Sequence, residues 1–181
     1  SEASENVFVG DGILNTFIAA AGFEIGQSLY EAEMLDIAKS IMAKTTIPIP
    51  RDVIVSKSFD EKATGIVRFV EDVREDEMIM DIGPETARIW SSKLYEAGTI
   101  IWNGPLGVFE FDQFGEGTRE VAGGIAKSKG FSVAGGGDTI AAIDKYGLSQ
   151  GISYISTGGG AFMEFVEGKK LPGAEILDNY R

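Results

Sequence analysis

The chain has 181 residues, 44% apolar and 24% charged, which suits one globular domain with a sizeable core. Its 28 acidic and 16 basic residues give a net charge of −12, and it has no histidine and no cysteine. Disulfides, Cys/His zinc sites and nucleophilic mechanisms that depend on histidine or cysteine are therefore excluded within these residues. The acidic balance argues against nucleic acid and against anionic membrane surfaces as partners. No apolar run is long enough to span a bilayer. The opening residues 1–6 lack a basic-then-apolar targeting pattern, so a cytoplasmic setting is expected.

In chain order, residues 7–9 (Val-Phe-Val) read as a strand ending at Gly10-Asp11-Gly12, with a helix from about 13 to 21. Ser28 and Glu31 have capping-box spacing for the next helix, whose apolar stripe is Leu29, Met34, Leu35, Ala38, Ile41 and Met42. Pro48 and Pro50 break that pattern. A small β excursion spans 53–82, with strands at 53–55, 65–70 and 78–82. Pro84 opens a helix that runs to about Ala97 and stops at Gly98. Residues 99–102 form a continuous apolar strand, as expected where both faces of a sheet are covered. A Gly/Pro loop from Asn103 to Phe111 precedes a helix over about 117–127. A strand at 131–134 follows, then a helix that Gly147 can end, and a last strand at 152–156. Helices from 161 to about 166 and from Pro172 to near Asn179 close the chain.

Alternating apolar strands and helices predict an α/β fold: an open, mainly parallel sheet with helices on both faces, a Rossmann-like three-layer arrangement in a single domain over 1–181. Ligands of such sheets sit at the carboxyl ends of the strands. Four turns fall there, at 10–12, 103–107, 135–139 and 157–160, and are expected to share one rim. Gly135-Gly136-Gly137-Asp138-Thr139 joins a strand to a helix start without bulky side chains, which suits a phosphate. Asp138 has two readings at this point: it caps the helix, or it meets phosphate through Mg²⁺. Glu110 also has two, a solvated loop charge or a ligand for ribose hydroxyls. No turn matches the Walker or the dinucleotide fingerprint, and none of the four contains lysine or arginine. Cations for a polyphosphate would then come from Mg²⁺ and from residues outside these turns.

Three blocks resemble signature segments of the phosphoglycerate kinase family: Trp102-Asn103-Gly104-Pro105-Leu106-Gly107-Val108-Phe109-Glu110, Gly135-Gly136-Gly137-Asp138-Thr139, and Ser156-Thr157-Gly158-Gly159-Gly160-Ala161. Residues 12–17, Ser28-Leu29-Tyr30-Glu31 and Leu171-Pro172-Gly173 are similar to it as well. The resemblance is to the C-terminal, nucleotide-binding lobe, without its first strand and the Gly-Ala-Lys turn whose lysine meets the phosphates. It implies ADP or ATP with Mg²⁺ as ligands and phosphoryl transfer between 1,3-bisphosphoglycerate and ADP in glycolysis. A 3-phosphoglycerate-binding N-terminal lobe would be the partner, and the parent enzyme would be monomeric. It also implies roles for residues here. Gly10, Gly12, Leu29 and Gly83 would line the adenine pocket. Pro105, Gly107 and Val108 would shape the base and ribose side, and Glu110 would bind the ribose. Asn103, Gly136, Gly137, Asp138 and Thr139 would hold phosphate, with Asp138 on the metal side. Gly137, Gly159 and Gly160 would face the phosphoryl group in transit. Asp11 departs from the family pattern, which commonly has glycine there. By this reading the chain alone is catalytically inactive. The rival reading is a non-catalytic nucleotide-binding module with the same rim.

Overall fold

The computed structural model describes residues 6–159 and Glu164. Gly160, the expected helices at 161–166 and beyond Pro172, and Leu171-Pro172-Gly173 lie outside the described residues. In chain order the elements are α1 (Asp11–Ala20), α2 (Leu35–Met42), β1 (Asp52–Ser56), β2 (Ile66–Phe69), β3 (Met78–Ile82), α3 (Pro84–Tyr95), β4 (Thr99–Asn103), α4 (Glu116–Lys127), β5 (Phe131–Gly135), α5 (Gly137–Tyr146) and β6 (Tyr154–Ser156).

The fold is α/β with a parallel three-stranded sheet, β4-β5-β6. Its register pairs Asn103 with Gly135 and Gly135 with Ser156, so the three strands end level with one another. The turns after them therefore lie side by side, as expected for three of the four glycine-rich turns. The excursion around 53–82 folds as a separate antiparallel sheet, β2-β1-β3, with an irregularity between Ile54 and Val55. The main core joins Leu14 and Ile18 of α1, Trp90 of α3, Ile100 of β4, Val121 and Ile125 of α4, Ala134 of β5 and Ile143 of α5. These are the inward positions of each element's apolar pattern, which is why burial assembles these elements in this order.

Several expectations are corrected. Residues 7–9 pair with no strand. Val7 N donates to Thr46 O at 3.4 Å, and the Phe8 ring packs on Trp90 at 5.2 Å between centroids. Their apolar side chains are used for burial and not for a ladder. Ser28 and Glu31 make no capping box. Ser28 Oγ accepts from Ile79 N at 2.8 Å and donates to Ile25 O, so it ties its turn to β3. A 3₁₀ turn, Ala32–Met34, comes first, and α2 begins only at Leu35. Ala38 is the buried member of the α2 stripe, while Leu29 is 79% exposed. The continuous apolar run in β4 is also not covered on both sides. Ile101, Phe131 and Tyr154 project from one face of the parallel sheet and are exposed, because no described element covers them there.

Glu77, at the start of β3, is fully buried, and Arg68 of β2 grips it through Nε at 3.1 Å and Nη2 at 2.7 Å. Arg74 N also donates to it at 3.2 Å. The Arg68 hydrogen bond holds the Glu77 carboxyl below its ordinary pKa, against the opposing effect of burial. A native pKa lower than the unfolded one gives stability that is present above the ordinary carboxylate range. That stability is lost as pH falls through the native value. Arg68→Met is expected to lower the urea midpoint at neutral pH by stranding Glu77. The gap from the unmodified chain should narrow in acid, where Glu77 is neutralised in both proteins. Urea melts at neutral and acidic pH check this, and a gap that does not depend on pH contradicts it.

Candidate phosphate and base site

Helix starts carry unpaired N–H groups and a partial positive charge, so what occupies each start decides where an external anion can sit. The start of α3 is closed by the chain itself. The Asp52 carboxyl accepts from Glu85 N at 3.0 Å, Thr86 N at 2.8 Å and Thr86 Oγ1 at 2.6 Å. The start of α4 is closed the same way, with Gly117 N donating to Asp81 Oδ2 at 2.8 Å. Among the described residues the start of α5 has no such plug. Its N-cap is Gly136, and no described side chain caps it. Asp138 lies inside the first turn and is exposed, so its capping reading fails. Gly136 has φ 95°, a conformation that strongly favours glycine.

Around that open start, the structure brings several of the expected residues together. A Cβ on Gly136 would lie 2.6 Å from Asn103 Oδ1, so the amide of Asn103 sits directly over the turn. Thr139 is fully buried and its Oγ1 accepts from Gly104 N at 2.7 Å. Its hydroxyl thus ties the turn after β5 to the loop after β4. Trp102 Nε1 donates to Gly104 O at 2.8 Å and steadies the same loop. Gly159, with φ 52°, stands beyond the end of β6, and a Cβ there would meet nothing among the described residues.

The remaining residues gather on a second flank. A Cβ on Gly10 would meet Leu106 Cα and Pro105 O at 2.6 Å, and Asp11 N donates to Leu106 O at 2.8 Å. A Cβ on Gly12 would lie 3.7 Å from the Leu29 side chain. Val108 N donates to Met80 O at 2.9 Å, and the Thr118 hydroxyl accepts from Leu106 N and Gly107 N at 3.0 and 3.3 Å. A small crevice opens here between α1, β3 and the loop after β4. Gly83 falls elsewhere. Its N donates to Asp52 O at 2.8 Å, which makes it part of the α3 start and not of the crevice lining. Glu110 is exposed at the loop's far end.

Sequence reasoning missed four residues here. Lys145 of α5 donates to Phe109 O at 2.7 Å and pairs with Asp112 at 2.7 Å, and so holds the segment that carries Glu110. It sits in the last turn of α5, where a basic residue reads as an ordinary helix-end charge, and its amine is committed to that segment and not to the open helix start. Asn15 and Leu106 line the crevice, and so does Asp81. Asp81 is buried under Gly107 and Gly117, and a Cβ on either glycine would lie 2.4 Å from its Oδ1. Burial pushes its pKa up to about 8, against the N–H groups of Gly117 and Ile82 that bond it.

These features define an α/β domain with an unplugged helix start beside level ends of parallel strands, next to a small crevice. The sequence model of phosphoglycerate kinase matches residues 1–169. The phosphoglycerate kinase structure from Coxiella burnetii is 45% identical, with a TM-score of 0.95 over 99% of this chain and 47% of that one. The Pyrococcus horikoshii OT3 phosphoglycerate kinase structure is 36% identical, with a TM-score of 0.84 over 98% of this chain and 46% of that one. The chain belongs to the phosphoglycerate kinase family, and it spans about half the length of these relatives. Among the described residues no helix is long and apolar enough to cross a membrane.

Two outcomes test the geometry. Asp11 has φ 54°, the one described non-glycine residue with positive φ. Asp11→Gly is expected to stabilise the chain by about 1 kcal/mol, measured by denaturant melts, through relief of that backbone strain. Asp81, whose native pKa is raised, binds a proton in the fold that the unfolded chain releases. It therefore makes stability fall as pH rises from about 4 to about 8. Asp81→Asn should flatten that part of the stability profile, and an unchanged slope across the window contradicts the burial effect.

Proposed function

We propose that this chain is the ADP/ATP-binding half of a phosphoglycerate kinase, a cytoplasmic glycolytic enzyme that transfers phosphoryl between 1,3-bisphosphoglycerate and ADP. The observation that carries it is the open start of α5 at Gly136, set beside Asn103, in a chain of this family. The polyphosphate takes the free N–H groups of Gly137 and Asp138. Asn103 bonds a phosphate oxygen, and Thr139 holds the two loops at the right separation. Gly10, Gly12 and Leu29 face the base, with Pro105, Gly107 and Val108 on its other side. Glu110 takes the ribose hydroxyls, and Lys145 positions its segment.

Mg²⁺ fits this arrangement. It ordinarily takes one or two carboxylates together with phosphate oxygens and water. Asp138 stands exposed in the first turn, free of any capping role, on the phosphate side. When bound, the ion neutralises charge that builds on the phosphates. The chain's own part is positioning and dipole stabilisation, with Gly137 and Gly159 nearest the group in transit and Gly160 assigned beside them from the sequence. The acyl-phosphate substrate would meet the N-terminal half of the family's longer chains.

The 181 residues on their own are expected to bind ADP weakly, in a Mg²⁺-dependent way, and to show no kinase turnover. Calorimetry with millimolar ADP, with and without Mg²⁺, tests the first outcome. Absence of heat from the folded chain overturns the nucleotide reading. A coupled assay tests the second, and measurable turnover overturns it. Asp138→Asn should abolish the Mg²⁺ dependence of ADP binding while leaving the fold unchanged by circular dichroism.

A further inference from the structure

Asn15 lies on α1 just beyond the Gly10–Gly12 turn and is only 5% exposed. Its Nδ2 donates to Leu29 O at 3.0 Å. That bond fixes the amide's orientation, because rotating it would set two carbonyl oxygens against each other. Oδ1 is left without a hydrogen-bond partner, the one such buried side-chain polar atom among the described residues. An orphaned buried acceptor is costly, so it calls for a ligand group or a trapped water. Asn15 lines the same crevice as Asp11, Met80, Asp81 and Leu106. The crevice has room for a group about the size of one water molecule.

We propose that Asn15 Oδ1 reads the nucleotide base, accepting a hydrogen bond from the exocyclic amino group of a 6-aminopurine. The inference rests on the nucleotide reading above and adds a specificity residue to it. Two of the crevice's lining residues, Asp11 and Leu106, belong to the two turns assigned to the base. The base lies across the crevice and sends only its amino group inward. A 6-oxopurine would put a carbonyl oxygen in the same place. Two acceptors would then face each other, and Oδ1 would stay unsatisfied.

The test compares ADP with inosine diphosphate, both with Mg²⁺, by calorimetry on this chain and on Asn15→Leu. The unmodified chain should prefer ADP by about tenfold, the worth of one buried hydrogen bond set against an unpaired acceptor. In Asn15→Leu the ratio should fall to about one. The ratio is the readout because losing the Leu29 tether alone would weaken both nucleotides alike. Equal affinities in the unmodified chain overturn the assignment whether or not the variant folds. That is the result expected if a water merely bridges Asn15 and Asp81. A tenfold ratio retained in Asn15→Leu overturns it too. Binding of neither nucleotide overturns the nucleotide reading itself, and this inference with it.

Discussion

The site depends on one buried carboxyl group. Asp81, near the end of β3, accepts N–H groups from Ile82 and from Gly117 at the start of α4. It lies so close beneath Gly107 that no side chain fits there. β3, the loop after β4 and α4 are therefore locked to a single point. Thr118, one residue past Gly117, adds bonds to Leu106 and Gly107, and Met80 adds one to Val108. A loop that is rich in glycine and proline is thereby fixed by hydrogen bonds at consecutive positions. A loop has little stiffness of its own, so geometry of this kind comes only from anchors outside it.

The same chemistry sets the α5 start apart from those of α3 and α4. Two helix starts are satisfied internally, by Asp52 for α3 and by Asp81 for α4. Those plugs fix β1 to α3 and β3 to α4, so they serve the fold. At α5 the equivalent groups are left for something else, and the residue that precedes them is a glycine with positive φ. One physical device, an acceptor at a helix N-terminus, thus appears in two uses.

Much of this was legible in the sequence. Short apolar strands alternating with helices gave the parallel sheet, and glycine turns after strands gave the rim, because both signals are local. Pro84 at a helix start and Gly147 at a helix end were read for the same reason. What was not legible depends on contacts distant in sequence. The run at 7–9 has strand-like residues, yet Phe8 packs against Trp90 and the backbone finds no partner strand among the described residues. Ser28 has the residue type and spacing of a cap, but β3 competes for its hydroxyl and wins. Lys145 looks like an ordinary helix-end charge until α5 lies against Phe109.

The chain's two tryptophans sit in unlike places. Trp90 is buried in the core against Phe8, whereas Trp102 is partly exposed and tied to Gly104, the residue that Thr139 also holds. The protein therefore carries two intrinsic optical reporters. Emission from Trp102 follows the polarity and rigidity of the loop beside the open helix start, while Trp90 follows the packing of the core. Replacing either one with phenylalanine would make local loosening of the loop spectroscopically separable from global unfolding, with no dye attached.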